Sequence, residues 1–168
     1  MAEDDIRFRI AGRADLSGVD ALLARSYPRL LKPDYPASVL VTALPLIARA
    51  RPELVVSGTY WVAVREGAIV GAGGWTPGAP GDRRVGAGFG HVRHLVTDDR
   101  LLRRGIARGI LGRAMAQARA AGVTRLDCLS TRTAVPFYAS VGFAALGEVD
   151  LRLRDGLDFP AVRMVRDL

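Results

Sequence analysis

The 168-residue sequence predicts a mixed α/β (α+β) domain, a sheet carrying helices on both faces. Three observations support this. Short alternating or β-branched runs recur between segments whose apolar residues follow helical spacing. Glycine and proline clusters punctuate them at turn-like intervals. No repeat, linker or low-complexity tail interrupts the chain, so residues 1–168 read as one domain.

Taken in order, Ile6–Ala11 alternates and predicts a first strand. Asp15–Ser26 places Leu16, Val19, Leu22 and Leu23 on one helical face, and Pro28, Pro33 and Pro36 are expected to end that helix. "ASVLVTALPLIARA" predicts a second helix bent at Pro45. Tyr60–Arg65 and Ala68–Trp75 predict a hairpin turned at Glu66–Gly67. A glycine- and proline-rich loop, "TPGAPGDRRVGAG", precedes a strand, "FGHVRHLVT". Arg103–Ala121 predicts a long helix with a buried stripe of Ile106, Ile110, Ala114 and Ala118, ended by Gly122. "VTRLDCLS" is a strand, "AVPFYASV" a short helix, and "AALGEVDLRLR" and "FPAVRMVRDL" two closing strands.

Composition narrows the functional classes. The apolar fraction of 49% and charged fraction of 24% are those of an ordinary globular domain. No apolar run reaches the length of a membrane span, and no membrane partner is expected. "MAEDDIRFRI" lacks the features of a secretory leader, so a cytoplasmic location is the expectation. Cys128 is the single cysteine, which excludes an internal disulfide and thiol-ligand clusters. The net charge of +7 is almost all arginine, Lys32 being the one lysine. Without a recognition motif this excess points more to genome composition than to nucleic acid, and no nucleic-acid partner is expected.

The stretch Leu101–Leu111, "LLRRGIARGIL", is the most informative. It opens a helix directly after a strand. The first amides of a helix lack intrahelical partners and carry partial positive charge, which suits an anion. Gly105 and Ala107 leave room at the backbone, while Arg103, Arg104 and Arg108 supply forked cationic donors. The physical reading is a pyrophosphate cradle. Neither a G-x-x-x-x-G-K-[ST] nor a G-x-G-x-x-G pattern is present. The alternative is a glycine that merely allows close packing beside solvated arginines.

With these residues in place, Leu102–Ala107 resembles motif A (Q/R-x-x-G-x-G/A) of the GNAT superfamily of N-acetyltransferases, with Leu102 standing where Arg or Gln is usual. "TRTAVPFYASVGF" is similar to motif B: Thr131 takes the Asn position, and Ala134, Phe137, Tyr138, Gly142 and Phe143 match. The resemblance runs from about Tyr60 to the C-terminus. It implies a mostly antiparallel sheet of about seven strands, with two parallel neighbours splayed at the cofactor cleft. It implies acetyl-CoA as acyl donor, its arm held by backbone groups of Leu95, Val96 and Thr97 and its pyrophosphate by Arg103, Arg104, Gly105, Ile106, Ala107 and Arg108. Leu95 would donate to the thioester oxygen, and Tyr138 would protonate the departing thiolate.

His91 falls where relatives carry a catalytic Glu, and imidazole titrates in the useful range. His91 and His94 are expected on opposite faces of a regular strand unless a bulge intervenes; His91, His94 or a water remains open as the base. A metal site is not expected from two histidines alone. Cys128 reads as a small buried hydrophobe. Tyr27, Tyr35 and Trp75 are candidates to line the acceptor pocket, against the plainer reading of core or rim. The implied reaction is transfer to a primary amine of a small molecule or peptide in a ternary complex. The alternative is a non-catalytic acyl-CoA-binding or regulatory domain. A homodimer through the closing strands is expected by analogy with relatives.

Overall fold

A computed structural model describes residues 5–78 and 88–168. The seven strands are β1 (Arg7–Ile10), β2 (Tyr60–Arg65), β3 (Ala68–Pro77), β4 (Phe89–Thr97), β5 (Arg125–Ser130), β6 (Ala144–Arg154) and β7 (Leu157–Asp167). The α-helices are α1 (Leu16–Leu31), α2 (Ala37–Ile47), α3 (Pro52–Val55), α4 (Ile106–Ala120) and α5 (Val135–Ser140). One sheet runs in the order β1-β2-β3-β4-β5-β7-β6, antiparallel except where β4 meets β5. Most of the loop that the sequence places before β4 lies outside the described residues.

The two faces bury different sets of side chains. On one, α1 packs Val19, Leu22 and Leu23 against Tyr60, Val62, Ala72 and Val96. On the other, Ile106 and Ile110 of α4 meet Ala63 and Val70, and Leu111, Ala114 and Ala118 meet Trp75, Val92 and Leu126. A fully buried aliphatic side chain contributes about 2 kcal/mol. The predicted stripe of Ile106, Ile110, Ala114 and Ala118 is buried throughout. Close seating of α4 needs Gly71, where a Cβ would collide with Ile106. The helix ends in a Schellman turn: Val123 N donates to Ala118 O and Gly122 N to Arg119 O, with Gly122 at φ +87°.

The first helix is longer than its prolines predict. α1 continues through Pro28 to Leu31, which is buried with Tyr35, Leu40 and Phe159. Pro28 removes one intrahelical bond, but the side chains of the last turn gain a core. α2 likewise runs through Pro45 to Ile47.

Two features of β4 shape the cleft. It pairs in parallel with β5 from Phe89 to His91 against Arg125 to Asp127, and the ladder stops there although both strands continue. Its pairing with β3 runs on to Thr97, with a bulge: Gly74 faces Arg93 and Ala72 faces Val96, so Gly73 alone opposes His94 and Leu95. His94 adopts φ +50° there. Tyr60, wholly buried, fixes the bulge by donating to His94 O at 2.9 Å. Among the described residues no helix is long and apolar enough to cross a membrane.

Candidate active site

Splaying β4 from β5 opens a cavity of about 960 Å³. The alternation of an antiparallel ladder shows which backbone groups face it. Asp98 N donates to Val70 O at 2.9 Å, so Val96, two residues earlier, also turns its amide and carbonyl toward β3. Leu95 and Thr97 then turn theirs toward the gap. Of the three residues expected to hold an extended ligand, Leu95 and Thr97 thus present backbone groups. Val96 adds a side chain buried in the α1 core.

Beyond the strand, the loop is tied down before the helix begins. Asp98 is almost wholly buried and receives Arg25 Nη2 at 2.8 Å, Arg100 N at 3.0 Å and Arg100 Nη2 at 2.9 Å. The Arg100 bonds, outweighing burial, hold its carboxyl down to about 2. Arg100 is thereby committed to the protein itself. Asp99 reaches α1 through Arg29 at 3.2 Å.

Gly105 then caps α4 at φ +76°, and a Cβ there would meet nothing within 4 Å. Gly109 N takes up the Gly105 carbonyl at 2.8 Å, leaving the amides of Ile106, Ala107 and Arg108 in the unsatisfied first turn. Arg103, Gly105, Ile106, Ala107 and Arg108 all line the cavity, and Arg104 lies outside that lining. Open space, free amides and cations together fit a pyrophosphate.

On the β5 side of the cavity, Tyr138 of α5 is 5% exposed and packs edge-on against Phe137 and Phe143. Its hydroxyl lies beside the Cys128 thiol of β5. Burial, with Cys128 beside it, raises the Tyr138 hydroxyl well above the usual tyrosine range, and burial pushes the Cys128 thiol up to about 12. Both groups are protonated at neutral pH. Tyr27 also lines the cavity, and its hydroxyl is raised by burial.

The bulge settles the orientation of the two histidines. His91 and His94 line the same cavity instead of opposite faces, because the extra residue resets the alternation. His94 Nε2 donates to Ile47 O at 2.9 Å and its ring meets Tyr27 edge-on. Burial lowers its pKa, so the neutral ring carries its proton on Nε2. His91 is 5% exposed, with Nδ1 buried and no hydrogen-bond partner. Burial, then the nearby Arg93, lower its pKa to about 4, with Asp127 opposing. His91 is therefore neutral at pH 7 but a weaker base than the near-neutral imidazole the sequence leads one to expect.

Two predicted pocket residues lie elsewhere. Tyr35 is outside the cavity lining: its hydroxyl donates to Pro160 O at 2.7 Å and accepts from Arg132 N at 2.8 Å, while its ring stacks on Phe159. Trp75 faces α4 and donates to Gln117 Oε1 at 3.1 Å. The cavity wall uses residues the sequence reading did not single out, notably Ile47, Arg51, Arg93, Leu151 and Phe159. Parity along β4 could have flagged Arg93, two residues from His91 on the same face. Among the described residues no group of three or more metal-ligating side chains occurs.

A family model described as an acetyltransferase (GNAT) domain matches residues 43–166. The chain belongs to the GNAT acetyltransferase family. The fold is shared with a PaiA N-acetyltransferase from Thermoplasma acidophilum solved with coenzyme A (TM-score 0.72, 14% identity, 98% of this chain and 99% of that one). It is shared with a GCN5-related N-acetyltransferase from Rhodopseudomonas palustris (TM-score 0.76, 19% identity, 100% and 99%). The N-acetylglutamate synthase of Neisseria gonorrhoeae, solved with coenzyme A and N-acetyl-glutamate, also matches (TM-score 0.63, 20% identity); 99% of this chain covers 36% of that one. No curated protein sequence matches.

Proposed function

We propose that this GNAT protein transfers the acetyl group of acetyl-CoA to a primary amine of a small molecule or peptide, by direct attack in a ternary complex. The observation that carries this reading is the β4–β5 gap, with Leu95 and Thr97 backbone groups along one edge and the Gly105 cradle at its end. The coenzyme A bound by the Thermoplasma protein is consistent with it.

The arm of acetyl-CoA lies along Leu95 and Thr97 like an added strand. The amides of Ile106, Ala107 and Arg108 and the side chains of Arg103 and Arg108 hold its pyrophosphate. The Leu95 amide donates to the thioester oxygen and stabilises the oxyanion as the amine attacks. His91, neutral at pH 7, accepts the proton that the amine loses. Tyr138, which lines the cavity and is protonated at neutral pH, donates its proton to the departing thiolate.

Calorimetric titration with acetyl-CoA, with NADP as control, tests the first half, and thiol release with an amine panel the second. Acetyl-CoA should bind and NADP should not. Absence of acetyl-CoA binding refutes the reading. Binding without turnover of any amine leaves the non-catalytic acyl-CoA-binding alternative. Tyr138→Phe should lower kcat about 100-fold or more while leaving acetyl-CoA affinity intact; equal turnover removes Tyr138 from the mechanism.

A further inference from the structure

The cavity carries positive charge that the acetyl-CoA reading leaves unused. Arg103 and Arg108 stand at the phosphate loop, but Arg51 and Arg93 do not. Arg93 precedes the bulge, four residues before Thr97, and at roughly 3.3 Å per residue its Cα sits about 13 Å back along the strand. A pyrophosphate at the start of α4 is out of its reach.

Arg93 is also short of counter-charge. It is partly buried, and its Nη1 donates to the neutral Thr76 hydroxyl at 3.2 Å. Arg51, exposed at the rim, is near enough to lower its pKa further, after burial; Glu53 acts the other way through space. Among the described residues no carboxylate lies within ion-pair distance of either arginine, and no Asp or Glu lines the cavity. Arg152, also on the wall, is already paired with Asp158 at 2.9 Å. A partly buried cation without an anionic partner is costly, and a bound anion relieves that cost. The neighbouring wall is apolar: Tyr27, Ile47, Leu151, Leu153 and Phe159.

Resting on the acetyl-transfer reading, we infer that the acceptor is an amino acid with an apolar side chain, whose carboxylate is received by Arg93 and Arg51 while its amine faces His91. The guanidinium fork matches a carboxylate in a way that no neutral group does. The apolar wall takes the side chain. A polyamine meets the opposite situation, two arginines and no carboxylate for its second ammonium. In the reaction the amine nitrogen forms a bond to the acetyl carbon as the carbon–sulfur bond breaks. The amine proton goes to His91, the sulfur leaves with its electron pair and takes the Tyr138 proton, and net return of the proton from His91 to Tyr138 restores the enzyme; the products are an N-acetyl amino acid and coenzyme A.

Matched acceptors separate the alternatives. Leucine is compared with 3-methylbutylamine, phenylalanine with phenethylamine, and spermidine is added; thiol release gives kcat/KM, and calorimetry gives acetyl-CoA affinity in parallel. The amino acids should exceed their decarboxylated partners by about 100-fold, the worth of charge-assisted hydrogen bonds to the carboxylate. Arg93→Gln and Arg51→Gln should erode that ratio through KM with acetyl-CoA affinity unchanged, and Arg93→Lys should restore part of it. The inference is overturned by preference for the decarboxylated amines or spermidine, by a ratio that Arg93→Gln leaves intact, or by acetyl-CoA binding with no amino acid turned over. Failure of the wild type to bind acetyl-CoA instead overturns the acetyl-transfer reading itself.

Discussion

Gly105 and Gly122 bracket α4 and form a matched pair for testing the phosphate cradle. Both have positive φ, +76° and +87°, and a Cβ at either would meet nothing within 4 Å. Alanine at either site therefore incurs the same backbone penalty, roughly 1–2 kcal/mol for a left-handed non-glycine residue, with no steric clash added. Urea denaturation should record that loss equally in Gly105→Ala and Gly122→Ala. Their ligand affinities should part company. At Gly105 the new methyl stands where a phosphate must approach the amides of α4. Losing one of those charge-assisted bonds costs about 1.5–3 kcal/mol, a rise in the acetyl-CoA Kd of roughly 10- to 100-fold. Gly122, at the far end of α4, should leave the Kd untouched. Wild-type affinity in Gly105→Ala, or an equal loss in Gly122→Ala, would refute the cradle.

Other perturbations follow from single contacts. Asp98→Asn replaces the buried carboxylate that bonds the more exposed Arg25 and Arg100 and should lower stability by about 1.5 kcal/mol, or roughly 4 °C in Tm. Because the Asp98 carboxyl is held down to about 2, its contribution is complete above its ordinary value of 3.8 and fades as pH falls toward 2; a melting series over that range should show the limb in wild type and not in the variant. His91 works in a higher window. Its folded pKa of about 4 lies below the ordinary 6.5, so stability should decline as pH falls from 6.5 to 4, and His91→Gln should flatten that decline. If His91 is the base, the same variant should lower kcat at pH 7 by about 100-fold; an unchanged pH–rate profile excludes it. Tyr35→Phe removes both hydroxyl bonds and leaves the Arg132 amide without its partner, for a loss of about 2 kcal/mol by urea denaturation with acetyl-CoA affinity retained.

The strands were the most legible part of the sequence, because alternation and glycine punctuation are local. Tyr60–Arg65, Phe89–Thr97 and Ala144–Arg154 have the bounds that their patterns predict. The end of α1 was not legible at Pro28: the apolar contacts of Leu31 with Tyr35 and Phe159 are long-range in sequence and outweigh a local penalty. The loop proposed to hold the pyrophosphate was suggested by "LRRGIA", whose glycine and cations are local in sequence. The opposite cavity wall could not be read, since it joins Ile47, Arg93, Leu151 and Phe159 from distant segments. The two histidines illustrate the same limit. Their spacing is visible, but their shared face depends on one extra residue opposite Gly73.

The side chain of Gln117 has a consequence for observing this protein in solution. The indole nitrogens of Trp61 and Trp75, the chain's two tryptophans, both donate to its Oε1 at 3.1 Å, and its own amide donates to Gly58 O at 3.0 Å. The intrinsic emission of the molecule thus originates at a single joint, where α4 is latched to β2 and β3. Red-shifted fluorescence would mark the lifting of that helix from the sheet. Since the opening turn of the same helix is the candidate phosphate site, acetyl-CoA should delay the shift during denaturation, which makes an optical signal remote from the cleft a gauge of its occupancy.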